Sequence, residues 1–230
     1  MISVITPVLN EEEYVTPFLA HLGRLKGPFE VILVDGGSTD GTLAEATACL
    51  AESDRRATLL ETDRGRANQM NAGAGKASGE VLLFLHVDCF VPEDSLIEID
   101  RVMLDEGIVG GGFLHAFSDP DLLLRATSSL GNMLARLNST FFGDSGIFIR
   151  RDLFLSMGGY DPLPFLEDVE LCRKAKRYGR LVQIGRAIES SPRRYASKGR
   201  FRLTLVFVLA LLLNLLGIRP GFLVRYIVDR

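Results

Sequence analysis

Cysteine is scarce in this chain: Cys49, Cys89 and Cys172 are scattered and odd in number, which fits neither a disulfide framework nor a zinc knuckle. Reduced thiols in a cytosolic protein are the expectation. No basic, apolar leader precedes Ile2-Ser3-Val4-Ile5, so the sequence predicts a cytosolic active domain, and the Asn138-Ser139-Thr140 sequon carries no weight. Internal repeats and low-complexity linkers are missing. So is an apolar run of bilayer length: residues 203–216, broken only by Thr204 and Asn214, would form a helix roughly 21 Å long against a hydrocarbon core of roughly 30 Å.

What is present suits one good-sized domain with an appendage, at 230 residues and 47% hydrophobic content. The formal net charge of -3 conceals a division. Eleven Lys or Arg and a single acid, Glu189, lie between Arg173 and Arg202, so residues 1–172 are strongly acidic. That asymmetry points to a basic tail facing anions, either ligand phosphates or acidic lipid headgroups. It argues against nucleic acid, because the tail has no recognisable binding module and the acidic body repels a polyanion.

Strand and helix signals alternate through the first half, the pattern of a largely parallel sheet with crossover helices. Strands are expected at 2–6, 29–34, 58–61 and 80–85, and helices at 11–24, 42–52, 67–77 and 94–105, the second capped by Thr39 or Asp40. Further on, strands at 110–114 and 147–149 surround a helical stretch at 122–137. Residues 168–178 read as a helix opened by acids and filled with bases, favourable at both dipole ends, and Gly179 stops it.

The most informative stretch is Leu82-Leu83-Phe84-Leu85-His86-Val87-Asp88. Successive strand side chains alternate between faces, so His86 and Asp88 are expected on one face at a strand's C-terminal end, where α/β sheets collect ligands. An imidazole and a carboxylate there could hold a divalent cation against a diphosphate; a plain surface strand end is the alternative. Upstream, Asp35 ends a buried strand and precedes Gly36-Gly37-Ser38-Thr39-Asp40, a turn that allows close backbone approach and offers a carboxylate to a base or ribose.

Together these segments resemble a family 2 glycosyltransferase of the GT-A fold. The resemblance rests on Pro7-Val8-Leu9-Asn10-Glu11, the Asp35 turn, Asn71-Ala72-Gly73 with Ala77-Ser78-Gly79-Glu80 before the His86 strand, and Glu167-Asp168, in the expected order over roughly residues 2–195. Gly65-Arg66-Ala67-Asn68-Gln69 and Gly143-Asp144-Ser145-Gly146-Ile147-Phe148 are similar to segments of small bacterial members often found beside radical-enzyme or selenium-related genes. The resemblance implies an α/β domain at residues 1–200, with a mostly parallel central sheet flanked by helices; the apolar run after the cluster of bases adds the expectation of a hydrophobic, membrane-associating helical tail at 201–230.

It further implies that Pro7, Glu11 and Asp35 line the base and ribose of a nucleoside-diphosphate sugar, with Arg66 and Asn71 nearby. Asp88 matches the metal-binding Asp of the family's Asp-x-Asp element. His86 replaces the first Asp, a departure that favours Mn²⁺ over Mg²⁺ if the imidazole ligates, and that leaves donation to a ribose or phosphate as its other role. Asp168, beside Glu167, is the implied general base, which removes the acceptor hydroxyl's proton during inverting transfer. A plain helix N-terminal charge is the alternative there. Arg193 and Arg194, before Tyr195 where the family usually has Trp, would hold the departing diphosphate or form a basic membrane-facing loop. Asp144 would contact the acceptor or serve a turn, while His21 and His115 read as structural. The apolar, basic tail points to a lipid-linked or membrane-near acceptor and to the cytoplasmic face of a membrane, although a helix packed into the domain is also open. Rival readings are a sugar nucleotidyltransferase, disfavoured by the absence of a glycine-rich basic loop after the first strand, and a non-catalytic nucleotide-sugar-binding protein, motivated by His86.

Overall fold

A computed structural model describes residues 1–215 and Tyr226; the remainder of the expected tail lies outside the described residues. The N-terminal half alternates β1 (Ile2–Val8), α1 (Glu12–Gly23), β2 (Phe29–Asp35), α2 (Thr42–Ala51), β3 (Ala57–Glu61), α3 (Arg66–Lys76) and β4 (Val81–Phe84). Then come β5 (Cys89–Phe90), α4 (Ser95–Val102), β6 (Ile108–Phe117), α5 (Leu122–Asn138), a 3-10 turn (Gly143–Ser145), β7 (Ile147–Arg150) and α6 (Arg151–Ser156). The chain continues through α7 (Glu167–Ala175), β8 (Arg180–Ser190), α8 (Arg193–Lys198) and α9 (Arg200–Leu215).

The strands form one sheet in the order β3-β2-β1-β4-β7-β6-β8-β5. The first four are parallel, as expected; β7 then pairs antiparallel with both β4 and β6, and β8 runs parallel to β6, so the sheet is mixed. Apolar runs in β1, β2 and β4 are buried on both faces. Val4, Leu33 and Leu83 enter one core with α1, while Ile5, Ile32 and Phe84 enter the other with α3. This is the period-two sorting of a sheet covered on two sides. Gly111 lets β6 and β8 approach: a Cβ there would collide with the Val182 carbonyl.

Two observations bear on the expected C-terminal tail. Helix α9 starts at Arg200 and packs on the domain, where Leu203, Ala210 and Phe207 join Leu124, Leu166 and Tyr195 in a third apolar cluster. The basic segment is also largely neutralised within the molecule. Six of its eleven cations, Arg173, Lys174, Arg180, Arg186, Arg193 and Arg200, form ion pairs with acids of the body. Among the described residues, no helix is long and apolar enough to cross a membrane.

Candidate functional site

The carboxyl ends of β1 and β2 open into a crevice that side chains stitch together. The Asn10 amide oxygen accepts the Thr39 N–H and the Asn10 N–H donates to the Ser38 hydroxyl, both at 2.9 Å. Asp35 is fully buried, and its carboxylate accepts the N–H groups of Gly37 and Ser38 and the Ser38 hydroxyl. From α3, Gln69 Nε2 donates to the carbonyls of Val8 and Val34, at 2.8 Å each. Beside this seam lies a cavity of about 530 Å³ lined by Pro7, Glu11, Arg66, His86, Asp88, Arg193 and Arg194, among others.

His86 and Asp88 do not sit on a strand face. β4 ends at Phe84, and a tight turn closed by Cys89 N–H on the His86 carbonyl carries both residues into the cavity. Asp88 is buried; Arg193 Nε donates to its Oδ2 at 2.9 Å, while Oδ1 meets only the Cys89 thiol at 3.7 Å. Burial works against the Asp88 charge, but Arg193 and its neighbours, Arg194 among them, together outweigh it and hold the carboxyl below its ordinary range. His86 is neutral, its pKa pushed down to about 3 by burial and then by Arg66. Among the described residues, no three His, Cys, Asp or Glu side chains are placed to hold a metal ion by themselves. One carboxylate oxygen without a strong donor, beside a neutral imidazole, fits a divalent cation that completes its shell with phosphate oxygens and water.

A second cavity of about 110 Å³ adjoins the first through Arg66, His86, Asp88 and Arg194, and adds Asp144, Glu167 and Asp168. Both acids open α7, behind Leu166, whose left-handed φ of 61° turns the chain into the site. Glu167 is ion-paired with Arg66. Asp168 is buried, its Oδ1 has no hydrogen-bond partner, and burial followed by the Glu167 charge pushes its pKa up to about 8. Gly143 separates it from His86: a Cβ there would lie 3.0 Å from Asp168 Oδ2 and closer still to His86 Nε2. Asp144 Oδ2 lies 3.4 Å from His115 Nε2, and the His115 ring nitrogens also meet the Ser190 and Ser128 hydroxyls at 2.6 and 3.0 Å. An apolar cavity of about 90 Å³ continues behind Asp144, walled by α5 and by Thr204, Phe207 and Val208 of α9.

The structure thus gathers Pro7, Glu11, Arg66, His86, Asp88, Arg193 and Arg194 around one cavity and Asp144, Glu167 and Asp168 around its neighbour. Two expected residues stand apart from both. The Asp35 carboxylate is consumed by its own turn, and the Asn71 amide clamps the backbone N–H and carbonyl of Tyr160, at 2.9 Å each. Glu11 lines the cavity, but both its carboxylate oxygens are held by Arg193. Sequence reasoning missed Gln69, whose signal was its place one turn after Arg66, and read His115 as structural without its link to Asp144.

A family model described as glycosyl transferase family 2 matches residues 3–157. The chain belongs to that family. A "PGL/p-HBAD biosynthesis glycosyltransferase" of Mycobacterium bovis is 34% identical over 170 residues, which are 70% of this chain and 63% of that protein. An undecaprenyl-phosphate 4-deoxy-4-formamido-L-arabinose transferase of Yersinia enterocolitica is 28% identical over 156 residues, 65% of this chain and 47% of that one. The chain therefore spans less than two thirds of the length of these relatives. Among solved structures, the mannosyltransferase PcManGT of Pyrobaculum calidifontis, in complex with GDP-Man and Mn²⁺, superposes with a TM-score of 0.70 at 23% identity, over 89% of this chain and 61% of its own. TarS 1-349 of S. aureus, in complex with UDP-GlcNAc, gives 0.60 at 22% identity, over 83% and 58%. These likenesses fix the fold as GT-A-like.

Proposed function

We propose that the chain is an inverting glycosyltransferase that moves a sugar from a nucleoside diphosphate to an acceptor hydroxyl. The observation that carries this reading is Asp168, a buried carboxyl with an unpartnered oxygen, facing His86 across Gly143 where the two cavities meet. On this reading the nucleotide occupies the larger cavity, and the anomeric carbon lies at the junction. As the acceptor oxygen attacks, Asp168 takes its proton, and Arg66 and Arg194 stabilise the charge developing on the departing diphosphate. A single displacement at that carbon inverts it.

Asp88, with His86 beside it, would hold a divalent cation, which when bound supplies charge neutralisation at the diphosphate. The neutral imidazole favours Mn²⁺, the ion that accompanies GDP-Man in the PcManGT structure, and Mg²⁺ is the other candidate. Donors of the GDP-Man and UDP-GlcNAc kind are the first to test, from the structural neighbours. The acceptor is a membrane-near hydroxyl, and a lipid-linked one accords with the undecaprenyl-phosphate relative. Phe201, Leu205, Leu209 and Leu212 form an exposed apolar stripe along α9, which would rest in the cytoplasmic leaflet as a peripheral anchor.

A thermal-shift screen of GDP, UDP, ADP, CDP and TDP with Mg²⁺ and Mn²⁺ tests the donor assignment, since a ligand that binds only the folded state raises its melting temperature. Melts unmoved by every pair would remove it. Binding without any sugar transfer or donor hydrolysis would leave a nucleotide-sugar-binding protein instead.

A further inference from the structure

We infer that Arg193 is a positioning residue, a strut that fixes the Asp88 carboxylate by tying it to Glu11, and that recognition of the diphosphate falls to Arg194 with Arg66. The inference rests on the nucleotide-sugar reading and divides a pair of adjacent arginines that sequence alone treats as equivalent.

All three nitrogens and one face of the Arg193 guanidinium are engaged. Nη1 and Nη2 donate to the two Glu11 oxygens at 2.5 and 2.7 Å, Nε donates to Asp88 Oδ2 at 2.9 Å, and Cζ lies 4.0 Å above the Tyr14 ring. A two-pronged fork on a carboxylate is the strongest pairing a guanidinium makes with a side chain, and it leaves no second fork for phosphate. Moving Arg193 onto a ligand would strand Glu11 and Asp88, two largely buried carboxylates, without their cation. Held in place, it pins Oδ2 and turns Oδ1 free for a metal ion. The three charges sum to one negative, an environment that still attracts a cation.

Arg194 is the opposite case. Its side chain makes no hydrogen bond or ion pair among the described residues, and it lines both cavities at their junction with Arg66. Burial and the nearby Arg66 and Arg193 charges disfavour its own, against the support of Asp88 and Glu11, and a bound phosphate would add to that support. Consecutive residues of a helix project about 100° apart, so α8 can aim Arg193 at the protein and Arg194 at the ligand.

The test titrates Mn²⁺ and, separately, GDP and UDP into the full chain, with binding read by calorimetry and thermal shift. Arg194→Gln should weaken nucleoside-diphosphate binding with and without Mn²⁺. Arg193→Gln should leave metal-free nucleotide binding within about twofold but raise the Mn²⁺ concentration required by about 10- to 100-fold, the usual cost of removing an outer-shell partner of a metal ligand. Glu11→Gln should reproduce that metal effect, and the double variant should be no worse than either single one, as for two links of one strut. Arg193→Lys, which keeps the charge and loses the fork, should not rescue it.

If Arg193→Gln does not fold, Glu11→Gln and Arg193→Lys carry the same readout. The strut is overturned if Arg193→Gln weakens metal-free nucleotide binding as much as Arg194→Gln does, or if it lowers the Mn²⁺ requirement. Failure of the unaltered chain to bind any of GDP, UDP, ADP, CDP or TDP would instead overturn the nucleotide-sugar reading, and the strut with it.

Discussion

Arg66 Nη1 lies 3.0 Å from Glu167 Oε1, and this pairing leaves the neighbouring Asp168 with no ion pair of its own. Burial, followed by the Glu167 charge, pushes that carboxyl up to about 8, so its proton must leave before it can act as a base. The kcat/KM for the donor, which reports the free enzyme, should therefore rise with pH and level off above about 8. Asp168→Asn should retain nucleotide binding and lose transfer by about 10²-fold or more. Retained transfer would remove Asp168 as the base.

The same carboxyl leaves a mark on stability. Its folded pKa lies above the unfolded value near 4, so the proton it keeps stabilises the fold below about pH 4, and that contribution is lost as the pH rises through about 8. The unaltered chain should lose stability relative to Asp168→Asn across that window, as read by urea unfolding at pH 5 and pH 8.5. Parallel pH curves would make Asp168 an ordinary carboxylate.

Gly143→Ala tests the approach of His86 and Asp168. The added methyl must push one of them aside, and a displacement of about 1 Å at reacting groups can cost about 10²-fold in rate. Nucleotide binding should survive, because Gly143 is not part of the larger cavity's lining. Full activity in this variant would show that the two side chains need not face each other.

Asn71→Ala should behave as a fold variant. Removing the amide leaves the Tyr160 backbone N–H and carbonyl unpaired, at a cost of about 1–3 kcal/mol, and loosens a ring packed on Phe84 and Phe154. Chemical denaturation should show the loss, with nucleotide affinity unchanged at temperatures where the variant is folded. A selective fall in affinity at constant stability would put Asn71 back at the ligand.

On α9, Phe201→Ser with Leu205→Ser should reduce sedimentation with vesicles containing anionic lipid and leave the melting temperature nearly unchanged, since both side chains are exposed. Phe207→Ala should do the reverse, because that ring packs on Phe165 and Tyr195. Unaltered vesicle binding in the first variant would dismiss the stripe as an anchor.

Most of the parallel half of the sheet was legible because β1, β2 and β4 are buried on both faces and read as apolar runs. β8 was not. Its buried apolar residues Leu181, Ile184 and Ile188 are spaced three and four apart, a helical interval, because the ladder to β6 shifts register between Phe113 and Leu114. The His86 and Asp88 pairing was anticipated for the wrong local reason: a turn, rather than strand alternation, aims both at the cavity. Asp35 and Asn71 also hold the backbone around them, a task that the motifs alone do not reveal. Arg193 shows a limit of motif reading too, for nothing in two adjacent arginines says which one already has partners.

The walls of the large and the apolar cavities follow chain order. The large one is built from residues 7–88, the apolar one from residues 115–208, and the family match stops at residue 157. Only α8 breaks the sequence, reaching back with Arg193 and Arg194. Inheritance can therefore treat the two ends of the trough separately. A crossover after Val91 would carry most of the first set of walls into a new background, and the seam it must preserve includes the β4–β7 and β5–β8 ladders, the Arg66–Glu167 ion pair and the salt-bridged Arg193 of α8.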